Sequence, residues 1–279
     1  MIDFSNFPNI ATPKTLSDIP LETPEDQQQM SDLVSGTHGF PGSGMNGIIL
    51  HGKFGAGKST AAMLIPDAME QTNIGMNCPW RTMHRILGNN NGVGLLTQIN
   101  SSCYVMNLNG KYVYVILDEV DNLTPPAMQQ LKSVMDNHVD RVVFIMTTNH
   151  LQKIDPAVRN RSYSFGFNKV PASAWLPSMQ RVLATYGITS ITDEQLISAA
   201  SSINGSGRKF ASCLKHLITG YYQMYPHLVP PHLLLPNSSV TPIAIAIAQP
   251  LPVLPAIPLV QQTQTVLATT SPSPSQPTP

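Results

Sequence analysis

The chain has 279 residues, enough for one large or two modest domains, and its 16 Lys and Arg balance its 16 Asp and Glu. That balance neither demands nor excludes a nucleic-acid or membrane-surface partner, but no stretch is long and apolar enough for a membrane-spanning helix. Cys78, Cys103 and Cys213 lie far apart without metal-ligand spacing and read as buried thiols of a reducing compartment.

Residues 1–20 lack a basic region followed by an apolar run, so no secretory leader is expected. The implied location is intracellular: cytoplasmic, or at the nucleoid or nucleus. The first strong signal is Ile48-Ile49-Leu50, a short apolar run that feeds Gly52-Lys53-Phe54-Gly55-Ala56-Gly57-Lys58-Ser59. This is the G-x-x-x-x-G-K-[ST] pattern of a P-loop set between a strand and a helix, and the helix is expected over residues 60–71. From there to residue 110 the chain is poorly patterned, apart from a surface turn at Asn89–Gly92. Residues 112–117, Tyr-Val-Tyr-Val-Ile-Leu, read as a strand buried on both faces of a parallel sheet and end in Asp118-Glu119. Thr124 and Pro125 then read as N-cap and first residue of a helix to about Asn137. A second apolar strand, residues 142–146, ends in Thr147-Thr148-Asn149. Strands alternating with helices predict an α/β architecture with a parallel sheet.

From Pro171 the character changes. Residues 172–186, 193–201 and 207–222 carry helical spacing, and Thr192 precedes an acidic first turn at Asp193-Glu194. The last charged residue is Lys215, and about half of the 25 prolines follow it. The expected organisation is therefore an α/β P-loop domain over residues 1–168, a small all-helical lid over 169–226, and a Pro-rich uncharged tail over 227–279 that is disordered. Within that tail only residues 243–247, Ile-Ala-Ile-Ala-Ile, have strand-like character.

Each motif has a chemical reading. The stretch Gly52, Lys53, Phe54, Gly55, Ala56, Gly57, Lys58, Ser59 and Thr60 would wrap its backbone around phosphates. Lys58 supplies a point charge for the terminal phosphates, and the Ser59 hydroxyl ligates Mg²⁺. Asp118 is assigned to the metal and Glu119 to polarising the attacking water. Asn149 ends a buried strand where open α/β sheets bind ligands, and its amide is placed to orient that water.

Taken together, residues 116–124 (Ile-Leu-Asp-Glu-Val-Asp-Asn-Leu-Thr), Thr147-Thr148-Asn149 and residues 153–162 (Lys-Ile-Asp-Pro-Ala-Val-Arg-Asn-Arg-Ser) resemble AAA+ ATPases. Within these they look most like clamp-loader subunits of the replication factor C type. Residues 13–19 (Pro-Lys-Thr-Leu-Ser-Asp-Ile) resemble the segment near the adenine, and Gly205-Ser206-Gly207-Arg208-Lys209 falls where the family has its lid Gly-x-x-Arg motif. The resemblance implies ATP and Mg²⁺ as cofactors. It implies Asn149 as sensor 1, Arg208 as sensor 2, and Arg161 as an arginine finger acting on a neighbouring subunit, with Arg159 a weaker alternative. It further implies an oligomer with nucleotide at subunit interfaces, a sliding clamp and primed DNA as partners, and no membrane. Three departures stand out: Lys53-Phe54 replaces the usual Pro-Pro, Asn160-Arg161-Ser162 replaces the usual Ser-Arg-Cys around the finger, and the Pro-rich tail stands where clamp loaders carry a helical collar. A divergent viral or phage version is compatible with these. A helicase loader, another AAA+ remodeller, or a nucleotide-dependent scaffold using its tail are the alternative readings.

Overall fold

The computed structural model describes residues 2–37, 39–75, 79–104, 110–168, 170–203 and 206–234. Cys78, Gly205 and residues 235–279, with the apolar run at 243–247, lie outside the described residues. Five strands form one parallel sheet: β1 (Gly47–His51), β2 (Arg81–Arg85), β3 (Val113–Asp118), β4 (Val142–Thr148) and β5 (Ser162–Gly166), in the order β2-β3-β4-β1-β5. The three central strands β3, β4 and β1 are the apolar runs of the sequence. Side chains alternate between faces along a strand, and here both faces are covered. Val115, Leu117, Phe144 and Met146 pack under α4 (Val93–Ser102) and α5 (Pro125–Asn137). Tyr114, Ile116, Val143 and Ile145 pack under α2 (Pro24–Ser35) and α3 (Lys58–Ile74). Fully burying each such side chain contributes on the order of 1.5–3 kcal/mol, so the centre of the sheet is the most strongly held part of this layer.

The edge strands escaped the pattern analysis for physical reasons. β2 reads Arg-Thr-Met-His-Arg, and its outer residues face solvent. β5 is only five residues long, with serines at alternate positions. α2 is mostly polar and buries just Met30, Leu33 and Val34; it is announced by the Thr23 side chain, which accepts the Asp26 amide, and by Pro24 at the first position. The entry to β3 is pinned by a fully buried carboxylate. Glu70 accepts hydrogen bonds from the Lys111 and Tyr112 amides and from the Tyr114 hydroxyl. Burial and the neighbouring Glu70 push the Tyr114 phenol well above its ordinary range, so it remains a donor.

After β5 the chain is helical. A short 3-10 turn over Ala172–Trp175 leads into α7 (Leu176–Thr185), followed by α8 (Asp193–Ser201) and α9 (Gly207–Met224). Thr192 and Gln195 form a reciprocal capping box that starts α8. These helices share a third core that includes Trp175, Met179, Phe210 and Leu214, joined by Phe7 and Ala11 of α1 (Phe7–Ala11). The folded chain continues beyond the expected limit at residue 226. Leu233 is buried in this third core, its carbonyl accepts from the Asp3 amide, and Leu234 bridges to Ile2. Between β4 and β5 lie a 3-10 turn over Leu151–Lys153 and a short helix, α6 (Pro156–Arg159), capped by Asp155. Among the described residues no helix is long and apolar enough to cross a membrane.

Candidate nucleotide-binding site

The strand order β3-β4-β1 brings the carboxyl ends of these three strands side by side, the place where parallel sheets bind ligands. β1 delivers the glycine-rich loop, β3 the acidic pair, and β4, lying between them, Thr147 to Asn149. The loop needs glycine where its backbone is left-handed. Gly57 has φ +100° and caps α3, which begins at Lys58, two residues earlier than expected. Gly52 has φ +144°, and a Cβ there would come within 3.0 Å of the Phe167 carbonyl carbon. The first amides of α3 lack intrahelical acceptors, and the helix dipole adds positive potential. The loop mouth is thus an anion cradle.

Lys58 is buried behind this loop. Its Nζ donates to the Gly52 carbonyl (2.8 Å), the Lys53 carbonyl (2.8 Å) and Asn149 Oδ1 (2.9 Å). An ammonium has three donors, so all are engaged, and a phosphate oxygen must replace one of these acceptors. Burial pushes the Lys58 pKa below its ordinary value, and the carboxylates of Asp118, Asp121 and Glu119 oppose that shift.

Ser59 Oγ donates to Asp118 Oδ1 at 2.8 Å. A hydroxyl and a carboxylate converging at the edge of a phosphate cradle form the hard oxygen set that suits Mg²⁺, which keeps several waters and takes few protein ligands. Ser59 and Asp118 would hold it, and the ion would neutralise charge on the phosphates. Thr147 Oγ1 donates to the same Asp118 oxygen (2.6 Å) and accepts from the Glu119 amide (3.0 Å). Glu119 has φ +61°, an uncommon backbone for a non-glycine residue. Its carboxylate accepts from Arg85 Nη2 (3.0 Å) and Asn122 Nδ2 (3.2 Å). Asp121 accepts from the Thr148 hydroxyl and is a strand-end brace.

A cleft of about 580 Å³ opens over these groups, lined at one end by Phe54 to Thr60, Asp118, Glu119 and Asn149. Its far end is walled by the N-terminal segment from Phe7 to Pro20 and by α7 and α9. Arg208, in the first turn of α9, lies over the loop: its Cδ is 3.4 Å from where a Gly55 Cβ would sit, and the Gly207 amide donates to the Gly55 carbonyl at 2.8 Å. Phe54 is 72% exposed at the rim. Gly52 and Lys53 sit behind the cleft, with their carbonyls on Lys58.

Arg161 is placed elsewhere. It joins β5 at the amino end of β1, where its carbonyl accepts from the Gly47 amide, and its guanidinium pairs with Asp136 (Nε to Oδ1 2.5 Å, Nη2 to Oδ2 3.1 Å). Thr147 and Arg85 were missed in the sequence. Thr147 had no signal of its own, because a threonine at a strand end is ordinary. Arg85 had none, because the strand that carries it was not legible.

The fold and this arrangement define a P-loop nucleotide-binding α/β domain. Residues 48–167 match the family described as ATPase family associated with various cellular activities (AAA). Among curated relatives, the chain is 28% identical over 105 residues to the replication factor C small subunit of Methanopyrus kandleri, covering 38% of this chain and 16% of the relative. It is 24% identical over 212 residues to replication factor C subunit 4 of Caenorhabditis elegans, covering 74% of this chain and 60% of the relative. It is 25% identical over 186 residues to the DNA polymerase III subunit gamma/tau of Mycoplasma pneumoniae, covering 62% of this chain and 27% of the relative. The chain thus spans less than two thirds of each of these relatives. Among solved structures, the Thermotoga maritima RuvB Holliday junction branch migration motor shares the fold at TM-score 0.55 and 16% identity, over 78% of this chain and 67% of that one.

Proposed function

We propose that this chain binds ATP with Mg²⁺ and hydrolyses it as a subunit of a clamp-loader-like assembly that places a sliding clamp on primed DNA. The observation that carries the reading is the junction at Lys58. One ammonium ties the phosphate loop to Asn149, beside a Ser59–Asp118 pair and a Glu119 carboxylate held by Arg85 and Asn122. In this reading Lys58 and the loop amides hold the phosphates. Ser59 and Asp118 hold the metal, Glu119 takes the proton of the attacking water, and Asn149 orients that water. Arg208 reaches the terminal phosphate from the helical lid of the same chain, and Arg161 of a neighbouring copy completes the site. The replication relatives supply the task. The lid is assigned to residues 169–226 and the ATPase domain to residues 1–168.

The test is the ATPase rate per subunit against protein concentration, alone and with primer–template DNA and a sliding clamp. A steep rise with concentration, enhanced by both additions, is expected. Turnover that rises with concentration but ignores clamp and primed DNA would transfer the chain to the AAA+ remodellers of protein, helicase loaders among them. The absence of any turnover beside intact ATP binding would favour the nucleotide-dependent scaffold.

A further inference from the structure

The chain crosses from the sheet layer to the helical core between Phe167 and Val170, both buried, Phe167 with the α2 and α3 side and Val170 with α7 and α9. Asn168 is the first residue of that crossing. Its Oδ1 accepts from the Lys53 amide at 3.0 Å, and its own amide donates to Glu22 Oε1. The Glu22 carboxylate lies against Gly166, where a Cβ would come within 2.7 Å of it. Asn168 Oδ1 itself lies 3.1 Å from where a Gly52 Cβ would stand, so the contact exists because position 52 is bare backbone.

The amide that Asn168 grips belongs to the peptide unit joining Gly52 and Lys53. The carbonyl of that same unit, Gly52 O, accepts from Lys58 Nζ at 2.8 Å. One peptide plane therefore carries Asn168 on its N–H and the phosphate-binding ammonium on its C=O. Hydrogen bonds at both ends of an amide polarise each other, and a plane held at both ends cannot rotate without breaking one of them. Proline, the residue usual at position 53 in the resembled family, has no N–H to offer.

We infer that Asn168 is a positioning residue for nucleotide binding: it fixes the Gly52–Lys53 peptide, and through it Lys58, from the start of the crossing into the helical core. The inference rests on the reading of Gly52 to Ser59 as a nucleotide phosphate cradle. Asn168→Ala removes the acceptor but keeps the backbone bond to Glu22, so the strand end stays anchored.

The experiment titrates the full chain with a fluorescent ATP analogue and reads dissociation constant and stoichiometry separately. Wild type, Asn168→Ala, Lys53→Pro, the double variant and Lys58→Ala are compared. Loss of one net hydrogen bond predicts a rise in dissociation constant of about two- to tenfold for Asn168→Ala at unchanged stoichiometry. A folding defect would instead lower stoichiometry at unchanged affinity. On the Lys53→Pro background, where the N–H is gone, Asn168→Ala should add nothing. An unchanged affinity in Asn168→Ala, a loss of stoichiometry alone, or an equal rise on the Lys53→Pro background overturns the role of Asn168. Retained affinity in Lys58→Ala overturns the cradle reading itself, and that outcome is distinct from the others.

Discussion

Thr147 is 2% exposed, and its hydroxyl spends both its capacities on the acidic pair, donating to Asp118 and accepting from the Glu119 amide. Glu119 leaves β3 with a left-handed backbone, a conformation that costs a side-chain-bearing residue on the order of 1 kcal/mol and persists only when its surroundings hold it. Thr147→Val keeps the shape but strips the Glu119 amide of its acceptor and Asp118 of a donor, at a cost of about 1–3 kcal/mol. Because a small misplacement of a catalytic group lowers rates steeply, turnover should fall about tenfold or more while ATP affinity changes little. A turnover within twofold of wild type would remove Thr147 from the support of Glu119. Glu119→Gln should bind ATP normally and hydrolyse it at least about a hundredfold more slowly, and single-turnover rates would reveal the opposite result directly. At this scale Asp118, Glu119 and Asn149 were legible because each follows an apolar strand, where a polar residue needs a reason. Thr147 was not, because a threonine at a strand end is ordinary and its role appears only when β3 and β4 are neighbours.

The elements add a latch at the far end of the cleft. Asp18 closes a 3-10 turn over Leu16–Asp18, accepting from the Lys14 and Thr15 amides, and its other oxygen pairs with Arg181 of α7 at 3.2 Å. Arg181 also donates to the Ile10 carbonyl, and Ser178 donates to the Asp18 carbonyl. Partial burial by itself would raise the Asp18 pKa, but the two amides, Arg181 and the Thr15 hydroxyl outweigh it and hold the carboxyl below its ordinary 3.8. A depressed folded-state value means stabilisation that is complete above the unfolded value and is lost as pH falls through the folded one. Asp18→Ala should therefore lower the melting temperature by roughly 2–4 °C near neutral pH, the size of a loss of about 1 kcal/mol. The gap should persist at pH 5 and close well below pH 3.8. A gap that is constant down to strong acid would mean that the charge plays no part. None of this latch was readable from element patterns. Its partners are 163 residues apart (Asp18 and Arg181), and β2, β5 and α2 were likewise hidden by short length, exposed faces or polar composition. The central strands, α5 and α8 were legible, since buried strands and capped helices write their limits locally.

At the scale of the whole molecule the decisive residue is Arg161. Its carbonyl is bonded to the Gly47 amide at the start of β1, whereas the phosphate loop leaves the other end of that strand. Five residues at about 3.3 Å each place the two roughly 15 Å apart along the strand, too far for the Arg161 side chain to serve its own site while paired with Asp136 and the Ala157 carbonyl. A finger role thus requires a second copy or a companion subunit, and it requires release from Asp136. Arg161→Ala should bind ATP with wild-type affinity yet lose most turnover, because a finger stabilises charge that develops only in the transition state. Lys58→Ala should bind no ATP but still present Arg161. When the two inactive variants are mixed under conditions of subunit exchange, hybrid interfaces pair an intact phosphate loop with an intact arginine, and a fraction of turnover should return. No recovery, with exchange verified by mixing differently labelled subunits, would place Arg161 in the fold as a brace for Asp136 rather than in the reaction.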